Sequence, residues 1–382
     1  MKTCSLLNSE NESDKLSYTR YLDNHPQATF EYTLEWKGIL ERNFGFESKH
    51  IVCKDSEGKI CGVLPLFKAS SIFGKRLVST PYAIYSGILA DTYEVKKEII
   101  NFSKKLAIEE KVNFLEIREE KENNCFDNFK LSNGVYNFSL RLDKPIEEIW
   151  KGLPKGSVRW GIKKAKKSNL CFVCGNDKQD LDIFYDLFVL TRKFRGVPGY
   201  PYDYFKEIMN KLKVKIYTSY LKDKPIASIF LIYYKKEMRY AFAGAVHDKQ
   251  ITETRHSEPE YKRVSGIEDG RKQIISTRQS SIMQLQPYHI ILWEAIKDAN
   301  SKGYSVFNLG GATENTNDGG LCSFKKKWAD KVIEVPSYFY LNKGNLPAGD
   351  SSPFLNFAGF VWKKMPLSLT KFLSPIVIKQ FV

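Results

Sequence analysis

The sequence predicts an α+β fold made of two related domains, and three observations carry the prediction. At 382 residues the chain is longer than one hydrophobic core usually organises, so two domains of roughly 150 to 200 residues are expected. Apolar residues make up 42% and aromatic residues 14%, which is enough for both cores. A helix–strand–strand order followed by helix–strand also occurs twice along the chain, and two such halves are most simply packed side by side.

In the first half, residues 28–45 read as a helix, with Phe30, Leu34, Ile39 and Leu40 near helical spacing. Two strands follow, His50–Lys54 and Lys59–Lys68, joined by the turn Asp55-Ser-Glu-Gly58. An amphipathic helix over Glu94–Glu110 then leads to the strand Phe114–Arg118. The second half repeats the order. Helices are expected over Asp180–Arg192 and Tyr202–Leu212, a hairpin over Val214–Leu221 and Pro225–Tyr234, and a strand over Arg239–Ala245. Tyr288, Leu292, Ala295, Ile296 and Ala299 then mark one face of a helix. After it comes the strand Val306–Leu309.

That last strand is the most informative segment. It runs directly into Gly310 and Gly311, where a backbone without Cβ leaves its N–H groups uncovered to a ligand. After a polar loop comes Gly319-Gly-Leu-Cys-Ser-Phe-Lys-Lys-Lys-Trp328, which places three lysines beside aromatic anchors. Such a grouping suits an anionic ligand or an oxyanion forming during acyl transfer.

Charge and cysteine usage narrow the setting. A formal net charge of +15 favours polyanions or anionic lipid as partners. The seven cysteines are scattered and odd in number, which is expected of free thiols in a reducing compartment and hence of a cytoplasmic protein. The first dozen residues lack the basic and apolar regions of a signal peptide, and no run approaches the ~20 apolar residues that cross a bilayer. Residues 346–382 form a distinct tail. From Ser351 onward it has no acidic residue, while Lys363, Lys364, Lys371 and Lys379 punctuate aromatic and aliphatic residues, a composition that suits either peripheral contact with an anionic membrane or a segment packed on the body with its lysines solvated. Residues 252–281 are polar, with six Lys/Arg against five Asp/Glu, and are expected to be a surface insertion.

The strongest basic concentration is residues 151–167, which carry seven Lys/Arg and no acid. Arg159, Lys163 and Lys167 recur every four residues, so like charges share one helix face unless an anion lies along it. A phosphate-bearing substrate is the expected anion. Other motifs fail. Cys171 and Cys174 form a lone CxxC whose strand setting puts the sulfurs on opposite faces, and the five histidines do not cluster at metal-ligand spacing. His289 is expected in the first turn of its helix, within reach of the glycine strand.

Several segments in order resemble the FemAB family of Fem-type aminoacyl or peptidyl transferases, especially its exopolysaccharide/PEP-CTERM-associated branch. They are His25–Tyr32, Trp36, Gly62–Leu66, Leu77–Tyr82, Tyr85–Gly87, Arg159–Ala165, Pro201–Phe205 and Phe324–Trp328. The resemblance implies two tandem GNAT-like (acyl-CoA N-acyltransferase-like) domains, 1–145 and 146–345, the second being BioF2-like. It also implies no bound cofactor. The donor would be aminoacyl-tRNA or acyl-CoA, and the acceptor a lipid-linked or nucleotide-linked cell-envelope precursor such as a peptidoglycan stem peptide. The Phe-Lys-x-x-aromatic motif falls on Phe324, Lys325 and Trp328, which makes Lys325 the cation beside the reacting carbonyl. Ala329 stands where the family usually has glycine. Arg159 and Lys163 would grip a phosphate, and Tyr204 and Tyr240 flank the expected cleft, where packing would also account for them. Two alternatives remain open: an acyl-CoA-dependent N- or O-acyltransferase acting on an exopolysaccharide or lipid-linked sugar, and a non-catalytic basic module binding RNA or membrane.

Overall fold

The computed structural model describes residues 2–72, 74–119, 125–247, 282–314, 319–343 and 353–381. The expected insertion at 252–281 lies outside the described residues. In chain order the elements are β1 (Thr3–Leu6), α1 (Glu12–Asn24), α2 (Leu34–Phe44), β2 (Glu47–Ser48), β3 (Ile51–Lys54), β4 (Ile60–Leu64), β5 (Phe67–Ser71), β6 (Gly74–Val78), β7 (Leu89–Ala90), α3 (Tyr93–Glu109), β8 (Phe114–Arg118) and β9 (Lys130–Arg141). They continue with α4 (Ile146–Gly152), α5 (Trp160–Lys167), β10 (Leu170–Gly175), α6 (Lys178–Arg195), α7 (Tyr202–Lys211), β11 (Lys213–Leu221), β12 (Lys224–Tyr234) and β13 (Glu237–Ala245). The last are α8 (Pro287–Ser301), β14 (Val306–Ala312), α9 (Gly319–Trp328), β15 (Lys331–Leu341), α10 (Pro353–Lys364) and α11 (Leu367–Ile378).

Eleven strands form one sheet in the order β10-β11-β12-β13-β14-β9-β15-β8-β6-β5-β2, and a second sheet has the order β1-β3-β4-β7. Within the large sheet two neighbouring pairs are parallel. In the first half β6 pairs with β8 at three positions, Arg76–Phe114 to Val78–Glu116. In the second, β13 pairs with β14 at three positions, Glu237–Val306 to Arg239–Asn308. In each half an antiparallel pair of strands therefore leads into one parallel step, β5–β6 to β8 in the first and β12–β13 to β14 in the second. The halves also share strands: β15, late in the chain, lies between β9 and β8, so the sheet crosses from half to half without a break.

Packing on both faces explains the apolar run of β12. Ile229, Leu231 and Tyr233 enter one core with α5 and α8, while Phe230 and Ile232 enter another with α6 and α7. Alternation with period two sends successive side chains to opposite faces, and because both are covered the strand reads as continuously hydrophobic. The flanking helices have clear ends. Asp177 and Asp180 form a capping box at the start of α6, and Gly196, with φ of 77°, closes its end in the left-handed conformation. Thr92 caps α3 by accepting from the Val95 N–H.

Three sequence expectations need correction. The helix expected over 28–45 begins at Leu34, preceded by a 3-10 turn over Phe30–Tyr32. The single strand expected over Lys59–Lys68 is two strands in different sheets, because Pro65 has no N–H to continue a ladder. Arg159 precedes α5, in a wide π-type turn over Lys155–Arg159, so it does not sit in the regular helix with Lys163 and Lys167.

α6 lies close enough to β13 that a side chain at Gly244 has no room. A Cβ built there would stand 2.3 Å from Leu187 C and Phe188 N, both main chain. Gly244→Ala is expected to destabilise the protein by about 1–3 kcal/mol through overpacking. Urea denaturation checks this, and an unchanged midpoint would contradict the close approach.

Candidate active site

β13 and β14 part after Arg239–Asn308, and the site forms where they part. A bulge between Asn308 and Gly310 interrupts the β14–β9 ladder, and Gly310 takes φ of 79°, a conformation that side chains with a Cβ resist. The turn is held locally: buried Asn308 accepts from the Gly310 N–H through Oδ1 at 2.9 Å. α9 packs against this end of β14 and delivers Lys325, which is only 5% exposed. The Lys325 Nζ donates to the Gly311 carbonyl at 2.8 Å and stands 5.6 Å from the centre of the Tyr240 ring. A Cβ at Gly310 would be 3.3 Å from that Nζ and 3.2 Å from the Tyr240 carbonyl. The structure thus brings Gly310, Gly311, Tyr240 and Lys325 together. The ammonium points at the glycine pair and away from bulk water.

Phe324 and Trp328 anchor the helix that carries this lysine. Their rings lie 5.5 Å and 5.7 Å from His289, which belongs to the first turn of α8. His289 in turn fills the space above Gly161 of α5, where a Cβ would come within 2.5 Å of the imidazole. Burial pushes the His289 imidazole down to about 4, and the Lys327 ammonium adds to the effect.

The other sequence-predicted residues separate. Arg159 lies in the turn packed against α9, and its Nε is buried with no acceptor among the described residues. Lys163 is exposed on α5. Tyr204 lies in an aromatic core among Trp36, Phe44, Tyr200 and Phe242, where its role is packing.

Sequence reasoning missed three parts of the site. Arg239, on the last rung before the strands part, is buried and pairs with Glu31 at 2.8 Å and Glu237 at 2.7 Å. Burial raises the Glu31 carboxyl above its ordinary range against the pull of Arg239. Only the position of Arg239 inside an alternating apolar strand hinted at such a pair. The loop after β6 supplies Ile84, which would touch a Cβ at Gly310 or Gly311, and Tyr85, whose ring lies 5.9 Å from the Arg239 guanidinium. Asn137, opposite Gly311 on β9, is buried with its side-chain oxygen lacking a partner among the described residues. An unsatisfied buried acceptor costs about 1–3 kcal/mol.

No protein-family model and no curated protein matches the sequence. Solved structures do match its fold. FemX aligns over 86% of this chain and 96% of its own with a TM-score of 0.62, at 13% sequence identity. The C-terminal domain of a putative lysylphosphatidylglycerol synthetase from Agrobacterium fabrum aligns over 91% and 96%, with a TM-score of 0.51 and 10% identity. A conserved protein of unknown function from Bacteroides thetaiotaomicron aligns over 89% and 99%, with the same TM-score and identity. The chain therefore has the fold that FemX has.

The depressed His289 titration has a consequence for stability. The unfolded chain takes up a proton near the ordinary value of 6.5, whereas the folded one resists until about 4. Stability is therefore fully present above the ordinary value and is lost as the pH falls from there toward the folded value, by on the order of 1–2 kcal/mol at a pH of about 5. Denaturation measured across this range should show the loss, and His289→Phe should reduce it without abolishing it, because burial also pushes the His50 imidazole down to about 3.

Proposed function

We propose that the protein is an acyl or aminoacyl transferase in which an amine attacks an activated ester or thioester carbonyl beside Gly310 and Gly311. The observation that supports this most is the buried Lys325 ammonium, held against the glycine pair at the end of β14, where the Gly310 N–H is already taken by Asn308 and the cation is the group left to meet an oxyanion. Attack turns the trigonal carbonyl into a tetrahedral carbon and its oxygen into an oxyanion. Lys325 stabilises that charge in a site poor in water, where a fixed cation is worth far more than in solution. When the tetrahedral carbon collapses, its bond to the tRNA ribose oxygen or to the donor sulfur breaks with the electron pair on that atom, which takes up, directly or through water, the proton that the amine gives up. Asn137 offers an acceptor for an N–H of the amine and so orients it. The buried Arg159 Nε, with Lys163 one turn along, would take a phosphate of the donor or acceptor.

In this reading the donor is aminoacyl-tRNA and the acceptor a peptidoglycan stem peptide on a lipid-linked or nucleotide-linked precursor. The basic segment 151–167 and the net charge of +15 suit such polyanionic substrates. One observation favours a second reading. Beyond Arg239–Asn308 the ladder between β13 and β14 ends, and the facing strand edges suit an extended chain bearing amides. The arm of an acyl-CoA is such a chain, and an exopolysaccharide or lipid-linked sugar would then be the acceptor.

The test is to supply purified protein with charged tRNA or acetyl-CoA and a pool of envelope precursors, reading products by mass spectrometry. An increment equal to an amino-acid residue supports the first donor and an acetyl increment the second. Lys325→Ala is expected to lower the rate by about 10²–10³. Transfer that persists undiminished in Lys325→Ala would rule out the assigned role.

A further inference from the structure

The last two helices turn their apolar side outward. In α11, Thr370, Ser374 and Ile378 recur at helical spacing and are buried, whereas Leu369, Phe372 and Ile376 face solvent, Phe372 being 72% exposed. A helix packed only to complete a core has the opposite polarity. Its inward side joins apolar packing by Ile378 to polar contacts: Ser374 Oγ accepts from the Gly199 N–H at 3.1 Å and donates to the Thr370 carbonyl at 2.6 Å. α10 also leaves apolar residues in solvent, with Phe357, Phe360 and Val361 exposed, while Trp362 anchors its inner side.

The outward face is held in place by bonds at the far end of α11. Tyr82 donates to the Ile378 carbonyl at 3.1 Å, Arg76 donates to the Gln380 carbonyl at 3.2 Å, and the Ile72 N–H donates to the Gln380 side chain at 2.9 Å. That last bond ties Ile72, 76% exposed at the turn after β5, to the segment that follows α11, where Phe381 is also exposed.

Charge identifies the occupant. Residues 353–381 contain Lys363, Lys364, Lys371 and Lys379 and no Asp or Glu. Lys371 is engaged by Asp186 at 2.9 Å, and Lys364 lies 5.8 Å from the centre of the exposed Phe360 ring. A second copy of the chain meeting this face across a two-fold axis would set lysines against lysines. Anionic headgroups above an acyl layer complement both the charge and the rings. Neither helix, at 12 residues, reaches across a bilayer core of about 30 Å, so both lie along it. We infer that the exposed face of α10 and α11, with Ile72 and Phe381, docks the protein on an anionic lipid surface. The loop after β6 touches α11 through Tyr82 and the glycine pair through Ile84, so the lipid face and the active site share one segment. This surface is inferred independently of the transfer chemistry.

Co-sedimentation of the full chain with vesicles tests it, using phosphatidylcholine alone and equal parts phosphatidylcholine and phosphatidylglycerol. Binding is expected to the mixed vesicles and to weaken with added salt. Phe372→Glu/Ile376→Glu and, separately, Lys363→Glu/Lys364→Glu should each weaken it by about tenfold or more with an unchanged melting temperature. Failure of the unaltered protein to sediment with mixed vesicles would overturn the inference, as would full binding by the Phe372→Glu/Ile376→Glu variant. So would a dimer in sedimentation velocity that the same variant dissociates, because the face would then belong to a second copy.

Discussion

The backbone of Gly310 is the constraint on which the site depends. A bulge after Asn308 forces the chain into a left-handed conformation there, and the absence of a Cβ leaves the space that the Lys325 ammonium occupies. A methyl group at that point would strain the backbone and crowd the cation together. The bond from Lys325 to the Gly311 carbonyl then fixes the charge on the strand end. Burial of Lys325 is affordable because a carbonyl accepts from it and the Tyr240 ring faces it, two contacts that offset lost hydration.

The two halves are bound to each other by more than adjacency. β15 passes between β9 and β8, so separating the halves would tear backbone ladders on both sides. Where β13 leaves β14, the buried pair of Arg239 with Glu31 ties the early segment of the chain to the strand that forms one wall of the site. Truncating one member of such a pair typically costs about 3–5 kcal/mol, because the other charge is left buried and alone. The shape of the site in the second half is therefore a property of the whole chain.

Much of this was legible in the sequence, for identifiable reasons. Long amphipathic helices such as α3 and α8, and the alternating strand before the paired glycines, follow from periodicity alone. The lysine motif on α9 was legible because its aromatic partners, Phe324 and Trp328, stand at fixed spacing from Lys325. Strands β9 and β15 were not read, since they carry mixed polar and apolar residues and gain their place from non-local pairing. The Arg239–Glu31 pair was hidden for the same reason, its members lying 208 residues apart. In the tail, composition leaves lipid contact and packing on the body both open, and only the structure shows Thr370 and Ser374 turned inward and Phe372 outward.

A double-mutant cycle between Gly310→Ala and Lys325→Ala, read as the rate of acyl transfer, tests the central claim most directly. If Gly310 matters because it makes room for the ammonium, its substitution slows transfer strongly in the native background and little once Lys325 is already gone. Equal slowing in both backgrounds would show that the glycine and the lysine act separately, and would contradict the account.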